Sequence, residues 1–331
     1  VTQVAPMVFG FIGVGTINSA VATGLLTAPN ETENVVLSPR NAEKAEALRQ
    51  RFPDRVTIAT DNQAVLNESS TIFVAVLPSQ AEATLSALRF SSNHTVVSLM
   101  AGVSLDTLEA VLTPVGVSKD RITRAIPLPP VAHHAGVTVV CPEHLEAVQV
   151  FNTLGTAVAV GDEAMMAKLC VITCTMGAYY QFLDTCHSWL VENGVDSEQA
   201  SVYTGALLYS IAGDGKNAGG SGFQSLIAEQ TPGGFNEMGI RELREAGVWD
   251  EIRATLTSLA ARWDGHASAS ELRPATARGT AAAELTVVRS ELATCREDLA
   301  LKDQEIAELR MRLLEKEEDA CVDPSDLSAK K

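Results

Sequence analysis

The residues best suited to chemistry lie near the amino terminus, in the segment VFGFIGVGTIN at residues 8–18. An apolar run, closely spaced glycines and a helical pattern follow one another, which is typical of a strand, a tight turn and a helix start. Gly13 would permit the turn, and Gly15 would let an anion approach free N–H groups at the helix N-terminus. Asn18 stands where a third glycine or an alanine is usual, so we expect it to push the helix slightly away from the strand. The segment predicts a dinucleotide pyrophosphate site, formed by Gly13, Val14, Gly15, Thr16, Ile17 and Asn18.

A second chemical signal is the sequence LSPRN at residues 37–41, after the second predicted strand. An enzyme that uses NAD needs a carboxylate here for the ribose 2′-hydroxyl, whereas this chain offers the hydroxyl of Ser38 and the guanidinium of Arg40. Both groups suit a 2′-phosphate, because a guanidinium forms strong paired hydrogen bonds with phosphate oxygens. The pair predicts NADPH as the preferred cofactor, with NADH possible. The simpler interpretation of Arg40 is a solvated surface charge.

The elements that must position these residues alternate through the first half of the chain. Short apolar runs rich in β-branched residues are separated by helical patterns, which predicts a parallel sheet with helices on both faces. The predicted strands are residues 7–13, 34–37, 56–58, 71–76, 95–99, 121–126 and 137–140, and the predicted helices are residues 19–26, 42–51, 79–88 and 105–112, with another after Pro142. We therefore expect an α/β fold class, with a dinucleotide-binding domain of the Rossmann type over residues 1–160.

The second half of the chain carries almost only helical patterns. The longest is the apolar segment 164–190, which contains too many Thr, Cys, Tyr and His residues for a membrane span and suits a central helix buried between subunits. Further helices are expected at residues 197–212, 223–229 and 236–262. Residues 161–265 are therefore predicted to form an all-α dimerisation and substrate domain, which would make the protein a homo-oligomer.

The composition changes again after residue 265. Residues 266–282 are rich in Ala, Ser, Thr and Arg and are expected to be a linker. Apolar residues then recur at spacings of three and four over residues 283–316, the pattern of a parallel coiled coil that could bind a coiled-coil partner. Cys295 and Lys302 weaken this seam, so a single amphipathic helix is the alternative. Residues 317–331 are expected to be disordered.

Composition and charge narrow the class of protein. The chain has 331 residues, of which 46 % are hydrophobic, enough to bury a sizeable core in about two domains. Its net charge of −16 argues against nucleic acid or an anionic membrane as a partner, because both require a basic surface. No apolar stretch of about 18 residues and no secretory signal pattern occurs, so we expect a cytoplasmic protein, with any targeting signal upstream of Val1 left open. The six cysteines lack metal-binding spacing, so no metal is expected.

Several segments resemble the pyrroline-5-carboxylate reductase family. The turn GFIGVG at residues 10–15 is similar to the family's opening glycine turn. FVAVLPSQ at residues 73–80 resembles its fourth strand and the turn beside the cofactor, and VSLMAGV at residues 97–103 resembles a later strand end. RAIP at residues 124–127 resembles an Arg-x-Met-Pro motif, and TPGG at residues 231–234 resembles the Ser-Pro-Gly-Gly of the substrate loop. The resemblance covers about residues 7–265, and it implies further cofactor contacts at Val76, Leu77, Pro78, Ala101 and Gly102.

By this resemblance, the chain would reduce a cyclic imine carboxylate, 1-pyrroline-5-carboxylate, to proline in proline biosynthesis, with hydride from NAD(P)H. It would also dimerise through the helical domain. The turn that contains Gly233 and Gly234 would hold the substrate carboxylate, since glycines ahead of a helix expose several N–H groups to an anion. Imine reduction needs little more from a protein than this anchor, a positioned nicotinamide and a proton source.

The expected substrate pocket departs from the family's pattern in three places. Phe235 and Asn236 stand where the family has two threonines, and Leu128 stands where it has an asparagine. The family's Ser-Gly-Ser-Gly-Pro-Ala-Tyr aligns with residues 173–179, where only the last three residues are close. These changes imply a substrate that is altered, larger or more apolar. The expected substrate contacts are Gly177, Gly233, Gly234, Phe235 and Asn236, and the expected proton donors or relays are Thr173, Thr175, Tyr179 and Thr231.

Two alternative functions remain open. A β-hydroxyacid dehydrogenase shares this architecture and uses a lysine general acid on the long helix, where Lys168 could serve to reduce a keto substrate. The asparagine that such enzymes place one turn later is Ile172 here. A catalytically silent scaffold that presents the patterned tail to a partner is the alternative from a different class, because the altered pocket could have lost its activity.

Overall fold

The computed structural model describes residues 7–29, 33–218 and 222–263, together with Lys302. The chain divides into two units, residues 1–266 and residues 267–331. In the second unit only Lys302 is described. The expected linker, coiled coil and disordered tail therefore lie outside the described residues and stay predictions.

Eight strands form one sheet in the first unit. They are β1 (Val8–Ile12), β2 (Asn34–Leu37), β3 (Val56–Ile58), β4 (Thr71–Val74), β5 (Thr95–Ser98), β6 (Ile122–Pro127), β7 (Gly136–Cys141) and β8 (Gly155–Ala159). Their order is β3-β2-β1-β4-β5-β6-β7-β8, and all neighbours run parallel except β6 and β7. This order confirms the Rossmann-type fold class, and the seven predicted strands agree with the structure to within two residues. The antiparallel direction of β7 and the alanine-rich strand β8 had no signal in the sequence.

Alternate residues of the strands build an apolar cluster on each face of the sheet, as the two-residue period of a strand requires. The flanking helices are α1 (Thr16–Leu26), α2 (Ala42–Arg51), α3 (Asn62–Glu68), α4 (Ala81–Ser86), α5 (Leu105–Leu112) and α6 (Leu145–Thr153). Phe11 and Phe73 stack at 5.0 Å between ring centroids and pack with residues of α1, α2 and α6. Ile72 and Val74 pack with residues of α3, α4 and α5 on the other face. Buried strands thereby hold the loops at their carboxyl ends in fixed positions.

From residue 163 to residue 263, the described part of the first unit is helical. Its helices are α7 (Glu163–Thr173), α8 (Met176–Glu192), α9 (Ser197–Asn217), α10 (Gln224–Ala228), α11 (Phe235–Glu245) and α12 (Val248–Trp263). The all-α character agrees with the prediction for this half of the chain. Among the described residues, no helix is both long and apolar enough to span a membrane.

The prediction of one continuous helix over residues 164–190 is wrong, because α7 ends at Thr173 and α8 begins at Met176. The hydroxyls of Thr173 and Thr175 donate to the carbonyls of Cys170 and Ile172 at 2.6 and 2.7 Å. The backbone N–H groups of residues 174 and 175 likewise bond to carbonyls three residues back. Hydroxyl groups that bond to nearby carbonyls compete with the regular ladder and bend helices.

The prediction of one helix over residues 236–262 is also wrong. Gly247 has a φ of +76° and separates α11 from α12. Glycine adopts this left-handed conformation readily, and it commonly ends a helix.

Candidate functional site

An open cavity of about 980 Å³ lies along the carboxyl ends of β1, β2, β4 and β5. Strand β1 has β2 on one side and β4 on the other. The strands that follow β1 are therefore added first in one direction and then, from β4 onward, in the opposite direction. Such a reversal leaves a crevice in which open α/β sheets bind their ligands. The predicted cofactor residues that line the cavity are Gly13, Val14, Gly15, Thr16, Ile17, Ser38, Arg40, Val76, Leu77, Pro78, Ala101 and Gly102.

The glycine turn forms the floor of this cavity. Gly13 has a φ of +84°, and a Cβ atom there would lie 2.5 Å from the carbonyl oxygen of Ala75, so only glycine fits. A Cβ on Gly15 would have no atom within 4 Å. Gly15 is the N-cap of α1; no side chain caps the helix, and no acidic residue lies in its first turn. The first N–H groups of α1 are therefore available to an anion, and the helix dipole favours negative charge there.

Ser38 and Arg40 occupy different environments at the end of β2. Ser38 is 1 % exposed, and its hydroxyl accepts a hydrogen bond from the N–H of Gly13 at 2.9 Å. This bond fixes the glycine turn against β2. Arg40 is exposed, and its Nη1 donates to Oε1 of Gln80 at 2.6 Å. Of the two groups expected at a 2′-phosphate, the guanidinium is the accessible one and the hydroxyl mainly supports the turn.

Asn18 is the one predicted cofactor residue that does not line the cavity. It is 1 % exposed, and its Nδ2 donates to the carbonyls of Ile12 and Gly13 at 3.1 and 2.9 Å. Its side chain thus fastens the first turn of α1 to the end of β1. We expected Asn18 to push α1 away from the strand; the structure shows it as a direct link between the two.

Replacing Asn18 by alanine should lower the free energy of unfolding by about 1–2 kcal/mol, because two hydrogen bonds to the turn are lost. The loss stays modest because Oδ1 of Asn18 is buried without a partner among the described residues. Urea unfolding followed by circular dichroism measures the difference. Ser19→Ala is the matched control on the same helix, since the Ser19 hydroxyl also lacks a partner and should be removable without loss. Equal stabilities of the two variants would contradict this role of Asn18.

The far end of the cavity lies between the loops after β4 and β5. A Cβ on Gly102 would be 3.5 Å from Cγ of Pro78, so the two loops approach each other closely. Since Arg40 and the adenosine side lie at the β2 end, a dinucleotide stretched across the glycine turn would place its nicotinamide between these loops. This end is lined by Ala75, Val76, Leu77, Pro78, Leu99, Met100, Ala101 and Gly102.

Sequence reasoning missed some polar residues of the cavity, among them Asn41, Asn62 and Gln80. Asn62 begins α3, a helix that the sequence pattern did not reveal; the preceding Asp61 accepts from the N–H of Ala64 at 2.8 Å and was its one local signal. Gln80 lies within the motif at residues 73–80 but was not recognised as part of the site.

The expected substrate residues lie outside this cavity, in two other places. Gly177 and Tyr179 lie on α8, close to the hydrogen-bonded hydroxyls of Thr173 and Thr175, and Tyr179 is 42 % exposed. Lys168, the candidate general acid of the alternative enzyme, is exposed on α7. Within the described part of the chain, none of these side chains lines the cavity.

The other substrate residues surround the start of α11. Gly233 has a φ of +73°, and the N–H of Gly234 donates to the carbonyl of Thr231 at 2.9 Å. The N–H of Gly233 donates to the carboxylate of Glu237, so an internal anion occupies a donor that was expected to bind a substrate carboxylate. Asn236 donates to Oε1 of Gln230 at 2.8 Å, and Phe235 is 90 % exposed.

Metal ligands are not clustered in the described ranges: no group of three or more His, Cys, Asp or Glu residues is placed to hold an ion there. Burial raises the pKa of the Cys141 and Cys170 thiols, and it lowers the pKa of His94. All three lie outside the cavity, whose lining offers backbone amides, the guanidinium of Arg40, the carboxylate of Glu43, several uncharged polar side chains and apolar surface.

The chain is similar in sequence to known oxidoreductases. Residues 8–102 match the family described as NADP oxidoreductase coenzyme F420-dependent. Pyrroline-5-carboxylate reductase of Methanosarcina acetivorans is 25 % identical over 253 residues, which cover 72 % of this chain and 90 % of that protein. The enzyme of the same name from Mycobacterium tuberculosis is 29 % identical over 274 residues, with coverages of 76 % and 86 %.

Solved structures share the fold. A pyrroline-5-carboxylate reductase from Coxiella burnetii superimposes with a TM-score of 0.68 at 20 % identity, over 80 % of this chain and all of that one. The Plasmodium falciparum pyrroline carboxylate reductase, determined with NADP bound, gives a TM-score of 0.62 at 19 % identity, again over 80 % of this chain and all of that one. The sequence relatives extend over both the sheet and the helical half. Taken with the fold and the glycine-turn cavity, they identify the chain as an NAD(P)H-dependent oxidoreductase that is similar to the pyrroline-5-carboxylate reductases.

Proposed function

We propose that this protein reduces a cyclic imine carboxylate with NADPH, in the manner of the reduction of 1-pyrroline-5-carboxylate to proline, at a pocket altered from the family's pattern. The observation that carries the proposal is the cavity at the strand reversal, with an uncapped helix N-terminus at Gly15 and the guanidinium of Arg40 at one end. The names of the sequence relatives support imine reduction, and the neighbour with NADP bound supports the choice of cofactor.

The residues of the cavity fit NADPH. The amides at the start of α1 would bind the pyrophosphate, and Arg40 would bind the 2′-phosphate after exchanging its bond to Gln80 for a stronger one to an anion. Asn41 and Asn62 would add polar contacts on the same side. When bound, NADPH supplies the hydride for the imine carbon. The loops after β4 and β5 would orient the nicotinamide and keep water from its reactive face.

A proton must also reach the substrate nitrogen, and the four candidate hydroxyls differ in availability. Those of Thr173 and Thr175 already donate to helix carbonyls, so they would have to rotate before they could act. Tyr179 is 42 % exposed, and its phenol has no hydrogen-bond partner in the described part of the chain, which leaves the phenol free to donate. We therefore favour Tyr179 as the donor, with Thr231 as the other available hydroxyl.

The helical half supports a homo-oligomer as part of this proposal. Helix α8 has no buried residue in the isolated chain, and Trp189, Tyr203 and Tyr209 are 62 %, 63 % and 82 % exposed. Large exposed apolar surfaces of this kind are rare on monomers. Assembly of two copies would cover these faces and could bring the substrate residues of one chain to the cavity of another. Light scattering after gel filtration should give the mass of a dimer or a larger oligomer; a monomer at all concentrations would contradict this part.

Turnover of the full chain tests the function directly. NADPH should be oxidised with 1-pyrroline-5-carboxylate or with a bulkier cyclic imine, and not with keto acids. In the reverse direction, hydroxyacids should not reduce NADP⁺. Oxidation of hydroxyacids instead would point to the dehydrogenase alternative, in which Lys168 would be the general acid. NADPH binding without turnover of any imine would favour the silent scaffold.

Glu237→Gln should lower the KM for 1-pyrroline-5-carboxylate by about tenfold, equivalent to about 1.4 kcal/mol. The native carboxylate holds the N–H of Gly233 and repels an anionic substrate at the same place, whereas the amide does neither as strongly. Steady-state kinetics at saturating NADPH give the comparison. Glu242→Gln removes the same charge from an exposed position on the same helix and serves as the control. An unchanged KM in Glu237→Gln would show that the start of α11 does not bind the substrate carboxylate.

A further inference from the structure

Arg124 is a buried cation directly behind the loop that follows β5. It lies on β6 and is 7 % exposed. Its Nη2 donates to the carbonyl of Ala101 at 2.8 Å and approaches that of Met100 at 3.5 Å. Met100 and Ala101 both line the cofactor cavity at its far end. The guanidinium therefore holds, from the side away from the cavity, the backbone that forms the cavity wall.

Glu163 completes this arrangement. Its carboxylate pairs with Nη1 of Arg124, and the same Oε1 accepts the backbone N–H of Leu105 at 3.0 Å. Leu105 is the first residue of α5, and Glu163 is the first residue of α7. The pair thus joins the loop after β5, the start of α5 and the first helix of the helical half.

The Arg124 side of this ion pair is buried, and the Glu163 side is partly exposed. Cys141 and Cys170 are both buried in an apolar cluster with Val139 and Met166, and burial raises the pKa of both thiols. Arg124 on β6 is the direct cross-strand partner of Cys141 on β7, so it lies beside this cluster. Because the side chain of Arg124 is only 8 % exposed, solvent screens its charge weakly, and its hydrogen bonds to the two carbonyls are worth more than they would be at the surface.

We propose that Arg124, oriented by Glu163, is a positioning residue that sets the place of residues 99–102 against Pro78 and thereby the place of the nicotinamide. This inference rests on the proposed use of NADPH. Arg124 touches neither substrate nor cofactor in this role; it acts through the carbonyls of Met100 and Ala101. A displacement of about 1 Å in a hydride-transfer geometry can lower a rate by about 100-fold.

If Arg124 has this role, its replacement should slow hydride transfer but leave the affinity for NADPH almost unchanged. The adenosine and pyrophosphate contacts lie at the other end of the cavity, so the dissociation constant for NADPH should change by no more than about threefold when Arg124 is altered. The hydride-transfer step should slow by about 30- to 100-fold. A purely structural role would instead reduce stability without separating these two quantities.

Arg124→Lys is the main variant, because it keeps the charge but lacks the fork that binds carbonyl and carboxylate together. Glu163→Gln is the second variant, since its amide oxygen can still accept from Leu105 while the charge is lost. Arg121→Lys is the matched control. Arg121 donates to the carbonyl of Asn93 at 3.2 Å and to the hydroxyl of Thr95 at 3.3 Å, at the opposite end of β5 from the cavity.

Two measurements on the full chain test the proposal. Hydrogen exchange of residues 99–104 should be faster in Arg124→Lys and in Glu163→Gln than in wild type, and unchanged in Arg121→Lys. Single-turnover oxidation of bound NADPH by an imine should show the slower hydride transfer, with a larger isotope effect from deuterated NADPH and a nearly unchanged NADPH dissociation constant. Unchanged loop exchange, or hydride transfer at the wild-type rate, would overturn the role of Arg124. Failure of wild type to bind NADPH would overturn the proposed function instead, and the exchange measurement would still decide whether Arg124 holds the loop.

Discussion

Gly13→Ala should weaken NADPH binding by at least about 100-fold and lower the free energy of unfolding by about 3 kcal/mol. The new methyl group would meet the carbonyl oxygen of Ala75 at 2.5 Å, and the backbone would have to leave its φ of +84°, which alanine disfavours. Both changes move the turn away from Ser38, whose hydroxyl accepts the Gly13 N–H. Calorimetric titration and thermal unfolding of the same samples measure the two effects.

Gly15→Ala separates the cofactor effect from the folding effect. A methyl group there meets no protein atom within 4 Å, so the free energy of unfolding should stay within about 0.5 kcal/mol of wild type. The methyl would nevertheless enter the space through which an anion reaches the start of α1, and we expect binding to weaken by about tenfold. Equal NADPH affinity of Gly13→Ala and wild type would show that the turn does not hold the pyrophosphate.

Arg40→Ala should raise the dissociation constant of NADPH by about 10- to 100-fold and leave that of NADH within about twofold. A hydrogen bond to a charged group contributes about 1.5–3 kcal/mol, and only NADPH carries the 2′-phosphate that would receive it. Arg40 is exposed and hydrogen-bonded to Gln80 at the edge of the cavity, so its removal should not disturb the fold. Titrations of both nucleotides into the same variant give the selectivity ratio.

Arg49→Ala is the control for the loss of a positive charge on this side of the sheet. Arg49 lies on α2 but pairs with Glu46 and is not part of the cavity lining. Its removal should leave both affinities unchanged beyond a small electrostatic effect. If Arg40→Ala and Arg49→Ala behaved alike, Arg40 would be no more than a solvated surface charge.

Strands β1 to β7 could be predicted because they are short runs, mostly apolar and rich in β-branched residues, as strands buried on both faces of a sheet require. The sequence-based prediction failed where the structure depends on hydrogen bonds that the local pattern of apolar residues does not reveal. The apolar segment around Cys174 has the composition of one helix, and the threonine hydroxyls that interrupt it are visible only once their carbonyl partners are known. Strand β8 lacks β-branched residues at most positions, and α3 is too short to show a helical period.

The cofactor half of the site could be predicted because its main residues are close together in the sequence. A glycine turn between a strand and a helix is a contiguous feature, so Gly13 and Gly15 could be recognised from order alone. Arg124 and Glu163 are 39 positions apart, and nothing in their local sequence shows that β6 and α7 bring them together. The same limit applies to Gln80, which reaches Arg40 across 40 positions.

The central claim is that the cavity at the strand reversal binds NADPH. Calorimetric titration of the full chain with NADPH tests it most directly. We expect one NADPH to bind per chain, with a dissociation constant in the micromolar range. NADPH should bind at least about tenfold more tightly than NADH. Gly13→Ala should bind NADPH much more weakly than wild type does. The account would be contradicted if wild type gave no binding heat at millimolar NADPH. It would also be contradicted if NADPH and NADH bound equally tightly to wild type, as they are expected to do more nearly in Arg40→Ala.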